Sequence, residues 1–267
     1  MSNITSFLPF MTRKQKKTII TFTGGMGAQI LSAAIYLSIK NSGKEIYADL
    51  SYFNKPPVLA TEGILGQISQ WDWQLDPFGL QPDHFQTYFG KNSSKEDVII
   101  DGARKIQLGL VALQDKEIQK YFAILNAPEN IFGLEGTKYI CAHIRRGDYI
   151  NVASYLISDE KFLNTANKFS SLCGTIVLVS DSSITHALKN HFSSQFEKCI
   201  FLDNIDAITT HYIMRNASVL ICSNSQFSLV AAVLNESGVV LLPKNWGGAT
   251  DIAKEVSLLG NFQTLNN

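Results

Sequence analysis

Residues 18–23 form a short β-branched run that ends abruptly in Gly24 and Gly25, and from residue 28 to residue 40 apolar side chains recur at helical spacing. The switch from an extended run through a glycine turn to a 3.6-residue period predicts strand, turn and helix. Asn41, Ser42 and Gly43 stop that helix, and residues 45–50 predict the next strand, so the chain opens as a βαβ unit. The pattern then weakens over residues 53–95. Pro56, Pro57, Pro77 and Pro82 interrupt a stretch carrying Trp71, Trp73, Phe78, Phe85, Tyr88 and Phe89, which predicts irregular connections and small strands. Those aromatics read first as packing, with an aromatic platform for a sugar as the second reading.

Downstream, residues 98–100 predict a strand and residues 115–125 a helix, before a polar, glycine-containing break at 128–136. Strand-like runs at 139–144, 175–179, 198–202, 219–222 and 239–242 then alternate with helix-like segments, which predicts a second parallel sheet covered on both faces. The expected organisation is a flexible basic segment at 1–17, a first lobe at 18–136 and a second at 137–267.

Composition narrows the function classes. With 45% hydrophobic and 17% charged residues the chain belongs with compact proteins, and 23 basic against 23 acidic residues argue against nucleic acid as a partner. Cys141, Cys173, Cys199 and Cys222 show no CxxC or Cys/His pairing, so free core thiols in a reducing cytoplasm are expected, and no metal site. No apolar run reaches bilayer length. The apolar residues 4–10 precede the basic cluster of Arg13, Lys14, Lys16 and Lys17, the reverse of a signal peptide. A frayed terminus is the first reading, and peripheral contact with the anionic inner face of a membrane the second.

Three stretches carry candidate chemistry. His143, Arg145, Arg146 and Asp148 follow directly on the strand at 139–144, where ligands of parallel sheets bind. A guanidinium offers a planar fork of donors that matches phosphate oxygens, so an arginine facing the crevice would hold a diphosphate, with Asp148 to pin it and His143 to donate a hydrogen bond. A lone double arginine is more often a surface pair beside a core histidine; the strand-end placement and the two other stretches reverse that. The second stretch is the turn Gly24, Gly25, Gly27, which brings backbone amides and a helix N-terminus close to an anion. It lacks the order of a dinucleotide fingerprint or a P-loop. The third is Ser223, Asn224 and Ser225, which cap the following helix and also suit phosphate or ribose oxygens at a strand end.

Taken in order, these stretches resemble the α-1,2-fucosyltransferases of glycosyltransferase family 11, within the wider group of α-1,6- and protein O-fucosyltransferases. Residues 143–149 look like the hallmark H-x-R-R-x-D motif, and residues 24–29 resemble the G-G-x-G-N-Q turn. Val177, Leu178, Val179, Ser180 and Asp181 resemble the second donor motif. Residues 223–235 resemble the S-N-S-x-F-S segment, and Pro243, Lys244, Asn245 and Trp246 match the P-K-x-W that closes it. The likeness spans roughly residues 18–250. It implies an α/β protein of GT-B type, with two Rossmann-like lobes facing across a cleft, an acceptor lobe first and a donor lobe second.

The implied reaction is metal-independent, inverting transfer of fucose from GDP-fucose to a hydroxyl of a glycan acceptor, free or lipid-linked, in surface polysaccharide or O-antigen synthesis. Arg145 would bind the diphosphate and His143 and Asp148 complete its pocket, while Asp181, Ser223, Asn224 and Ser225 would contact the nucleotide. A sugar nucleotide ionises toward an oxocarbenium ion, so fixed positive charge on the departing diphosphate contributes more than a strong base. The chain departs from the family at Ala28, where asparagine is usual, at Ser182, at Leu229 and Val230, which replace paired tryptophans, and at Ile30, Leu31 and Ser32. Two alternatives follow: a related transferase using another nucleotide sugar, and a non-catalytic sugar-nucleotide or glycan-binding protein. On chemistry alone Asp49, Asp101 and Glu62 are candidate bases for the acceptor proton.

Overall fold

Two parallel sheets organise the chain. The computed structural model describes residues 16–54, 72–89, 97–129, 131–150, 155–243 and 262–265, with backbone only for Asp148 and 262–265. The first sheet has the order β2-β1-β3, from β1 (Thr18–Thr21), β2 (Ile46–Asp49) and β3 (Val98–Asp101). Its register sets Thr21 level with both Asp49 and Asp101, so the three carboxyl ends form one edge. The second sheet has the order β6-β5-β4-β7-β8-β9, all parallel. Its strands are β4 (Tyr139–Ile144), β5 (Thr175–Ser180), β6 (Lys198–Asp203), β7 (Val219–Ile221), β8 (Val239–Pro243) and β9 (Phe262–Leu265). Together with their helices they make an α/β fold built on two parallel sheets.

The central strands β4 and β5 are buried along their whole length, as continuous apolar runs require when helices cover both faces. Alternation sorts the β4 side chains. Ile140, Ala142 and Ile144 join the layer formed by α4 (Asp159–Asn167) and α5 (His186–Ser193), which contributes Phe162 and Phe192. Tyr139 and Cys141 join the opposite layer, built from α6 (Ala207–Arg215) and α7 (Gln226–Val233). Each fully buried Phe or Leu contributes roughly 1.5–3 kcal/mol relative to exposure. Ser158, Thr185, Asp206 and Ser225 cap these four helices by accepting from Lys161, Leu188, Thr209 and Phe227 amides, a device worth about 1 kcal/mol each.

That second apolar layer runs without a break into the first lobe, because α1 (Met26–Asn41) lies between the small sheet and α7. Residues 26–37 of α1 are all buried, the pattern of a helix packed on every side. Its approach to α7 depends on Gly27: a Cβ there would lie 2.5 Å from the Phe227 backbone nitrogen.

The region after β3 departs from the sequence reading. The single helix expected at 115–125 is replaced by α2 (Ile106–Leu113) and the short α3 (Lys116–Lys120), with Asp115 capping the latter through the Glu117 amide. An apolar run over residues 108–113 with an interior glycine hides the helical period of α2. Gly109 serves there to admit Leu31 of α1, whose side chain would be 2.8 Å from an added Cβ.

Residues 76–78 and 82–84 are single 3₁₀ turns, in keeping with the irregular connections expected there; of the small strands also expected, the described residues show the isolated bridge between Ala48 and Thr87. Trp73, Phe78 and Phe85 pack against Phe22, Phe53, Tyr36 and Phe122, which makes them core and not platform. Lys17, expected in a flexible segment, belongs to the sheet: its amide donates to Asp97, its carbonyl accepts from Val98, and its ammonium lies over the Tyr47 ring. The rest of the N-terminal segment up to residue 15, Trp71, Glu62 and residues 244–246 lie outside the described residues. Among the described residues no helix is long and apolar enough to cross a membrane.

Candidate functional site

Parallel register decides which side chains meet at the edge of the large sheet. Ile144 pairs with Ser180, so the residues just beyond, Arg145 and Asp181, emerge side by side. The Arg145 Nε lies 3.0 Å from Asp181 Oδ2, and the other carboxylate oxygen accepts from the Arg146 amide at 2.8 Å. Both side chains of the pair are about four-fifths buried, at 18% and 21% exposure, so solvent screens this ion pair less than a surface one. The Tyr149 ring lies 5.2 Å from the guanidinium carbon, a cation–π contact. Gly147 completes the fit, since a Cβ there would meet Asp181 Oδ2 at 2.3 Å. Asp181 thus braces Arg145, the task the sequence reading gave to Asp148, whose side chain lies outside the described residues.

Arg145 opens onto a cleft of about 440 Å³ between the lobes, within the range of small-ligand sites. Gly25, Met26, Gly27 and Ala28 at the start of α1 form one wall together with Gln74. Ser225, Gln226 and Phe227 at the start of α7 form another, and Ser180 at the end of β5, with Asn204, Ile205, Ala207 and Thr210 leading into α6, closes the far side. Three helix N-termini therefore point into one cavity. They are not equivalent: the Asp206 carboxylate caps α6, whereas α7 is capped by the neutral Ser225 and α1 begins at Gly25 with no side-chain cap. An N-terminus carries roughly half a positive elementary charge, so the α1 and α7 ends and Arg145 form the electropositive part of the cleft.

His143 forms part of the cleft floor. Strand alternation turns it to the α7 side, 5.6 Å from the Phe227 ring, and its Nδ1 lies 2.8 Å from Ser223 Oγ. Burial, reinforced by the Arg145 charge, pushes its pKa down to about 3, so at neutral pH it is an uncharged imidazole. With Nδ1 engaged by Ser223, a ligand contact from the ring falls to Nε2. A neutral hydrogen-bonding group suits a polar ligand; a general base near pH 7 it is not.

Of the residues singled out in the sequence, Gly25, Gly27, His143, Arg145, Asp181 and Ser225 line the cleft. Gly24 stands behind it, at φ +77° with its carbonyl accepting from Gln29 Nε2, and shapes the turn. Arg146 turns away to pair with Asp159 and does not line the cleft. Ser223 holds His143, and Asn224 donates to the Tyr155 carbonyl. Asp49 and Asp101 serve local turns, accepting from Ser51 and Arg104 amides, and neither lines the cleft. The departures Leu229 and Val230 are buried core, and Ser182 donates its backbone amide to the Ser180 hydroxyl in the turn after β5. The α6 side was missed, although Asp206 with Thr209 three residues on, just after a strand, is a readable helix start. Asn204, in left-handed backbone at φ 56°, marks the turn.

Behind the cleft, His211 on α6 is fully buried between the Phe78 and Phe227 rings, and neither ring nitrogen has a partner among the described residues. Desolvation, then the Arg215 charge, holds its pKa well below the ordinary histidine value. An unpaired buried imidazole costs about 1–3 kcal/mol. His211→Leu should therefore raise stability by about 1 kcal/mol, or roughly 2–4 °C in Tm. The unfolded chain takes up a proton near pH 6.5 that the fold resists, so wild-type stability falls as pH drops below that value. The variant should lose less between pH 7 and pH 5, which thermal melts at the two pH values check.

Comparison with known proteins gives a family and a set of distant structures. The model described as glycosyl transferase family 11 matches residues 111–265. No curated protein sequence matches the chain. Among solved structures, POFUT1 in complex with GDP is 11% identical, with a TM-score of 0.43 over 84% of this chain and 97% of that one. E. coli heptosyltransferase WaaC with ADP is 9% identical, with a TM-score of 0.44 over 93% and 92%. A variant of Arabidopsis thaliana FUT1 in complex with GDP is 11% identical, with a TM-score of 0.42 over 89% and 72%.

Proposed function

The chain belongs to glycosyl transferase family 11, and on that premise we propose that this fucosyltransferase-like enzyme moves fucose from GDP-fucose to a glycan hydroxyl, with inversion and without a metal ion. One observation carries the reading: Arg145, braced by Asp181, stands where the N-termini of α1 and α7, neither of them capped by a carboxylate, converge on one cleft. A diphosphate placed there meets a guanidinium and two sets of backbone amides, and the nucleoside extends toward Ser180, Asn204 and Ile205.

In the transfer step the acceptor oxygen forms its bond to C1 of the sugar as the bond from C1 to the β-phosphate oxygen breaks. The departing GDP takes the electron pair, and the acceptor proton is lost to base. Charge grows on the leaving oxygen, so fixed donors aimed at it stabilise the transition state more than the ground state. Arg145 and the helix ends supply in place what a cation supplies in metal-dependent transferases. His143, neutral and held by Ser223, offers a hydrogen bond that does not depend on pH across the working range.

Calorimetry with GDP, GDP-fucose and UDP, followed by incubation with GDP-fucose and a panel of glycans, tests this. Guanine nucleotides should bind and UDP should not, and transfer should proceed at the same rate in excess EDTA. Turnover of a UDP-sugar in place of GDP-fucose, or activity abolished by EDTA and restored by a divalent ion, contradicts the reading. Binding with no transfer or donor hydrolysis under any condition favours a sugar-nucleotide-binding protein.

A further inference from the structure

Gln29, on the first turn of α1, is completely buried, and its amide makes three bonds of 2.8 Å. Nε2 donates to the carbonyls of Gly24 and Asp72, and Oε1 accepts from the Gln74 amide. One side chain thus ties residues 72–74 to the glycine turn. Trp73 fixes the same segment from its other side, donating from Nε1 to the Leu80 carbonyl at 2.8 Å and packing among Phe22, Phe53 and Phe85. Leu75, the next residue, is fully buried. Gln74 is therefore held rigidly at the wall of the cleft, beside the start of α1, and among the described residues its side-chain amide makes no hydrogen bond.

We propose that Gln74 recognises the sugar being transferred, a proposal that rests on the nucleotide-sugar reading above. Three considerations lead there. A carboxamide presents a donor and an acceptor in fixed geometry, the complement of a hydroxyl, and carries no charge to attract phosphate. Phosphates have a better place at Arg145 and the two helix ends. The sugar is bonded directly to the outer phosphate, so it must lie next to the groups that hold that phosphate, and α1, whose N-terminus is one of them, carries the Gln29 that positions Gln74. A site that hydrogen-bonds a substrate hydroxyl discriminates strongly against sugars lacking it, which makes Gln74 a specificity-determining residue.

The test compares a ligand that has the sugar with one that does not. Calorimetry on wild type, Gln74→Ala and Gln74→Leu, each with GDP and with GDP-fucose, should show affinity for GDP-fucose reduced roughly 5- to 10-fold in both variants and affinity for GDP unchanged. Unchanged GDP binding also shows that the variants are folded. Equal losses for both ligands, no loss for either, or a change confined to the KM of the glycan acceptor overturns the assignment of Gln74 while leaving the reading of the cleft intact. Wild-type protein that binds neither ligand overturns that reading, and this proposal with it.

Discussion

Arg145→Ala should lower the rate of transfer by about 100- to 1,000-fold, the usual cost of removing one preorganised donor from a developing negative charge. The loss should fall mainly on kcat, because the guanidinium acts most strongly once charge has accumulated on the departing diphosphate. Stability should change little: the side chain belongs to a strand-end pair and not to the core, and the Asp181 carboxylate keeps its bond from the Arg146 amide. Arg145→Lys should recover part of the rate, since an ammonium restores the charge without the planar fork that faces Asp181 and a phosphate together. Steady-state kinetics in donor, alongside thermal melts, separate these effects. Full activity in the alanine variant would contradict the assigned role.

The second large effect is structural. Gly27→Ala should destabilise the protein by about 1–3 kcal/mol, even though alanine in a helix is ordinarily favoured over glycine by about 1 kcal/mol. The contacts decide the sign. An added Cβ would sit 2.5 Å from the Phe227 nitrogen, 2.6 Å from the Gln226 carbonyl carbon and 2.7 Å from the Phe227 Cα. All three are backbone atoms, so no rotamer change relieves the overlap, and α1 must move off α7. Because those two N-termini flank the proposed phosphate site, the variant should also bind GDP more weakly than wild type. Thermal unfolding and calorimetry on the same preparation measure both. A Tm equal to or above that of wild type would show that the helices are not packed this closely.

What could be read from the sequence was local. Strand-like, largely apolar runs at 139–144 and 175–179 announced a buried parallel sheet, and chemistry-bearing residues at their ends announced a site. The glycine turn was legible as a turn, and Gly24 does adopt left-handed backbone. Pairings across the sheet were not legible. Asp181 braces Arg145 only because β4 and β5 align Ile144 with Ser180, a register no local pattern encodes, and Asp148 was the nearer carboxylate in sequence. Gly27 looked like a phosphate-binding glycine, and nothing nearby in the chain revealed a contact with a helix 200 residues away. Gln29 clamping residues 72–74, across 43–45 residues, was hidden for the same reason. The serines of 223–225 suited a nucleotide as well as a cap, and only the folded positions show Ser223 turned inward to His143.

A crystal structure of the protein grown with GDP tests the central claim most directly. The expected result is a diphosphate in the cleft between the lobes, with the Arg145 guanidinium within hydrogen-bonding distance of its oxygens and the amides at the starts of α1 and α7 facing it. A nucleotide bound elsewhere, with Arg145 making no contact to phosphate, would contradict it.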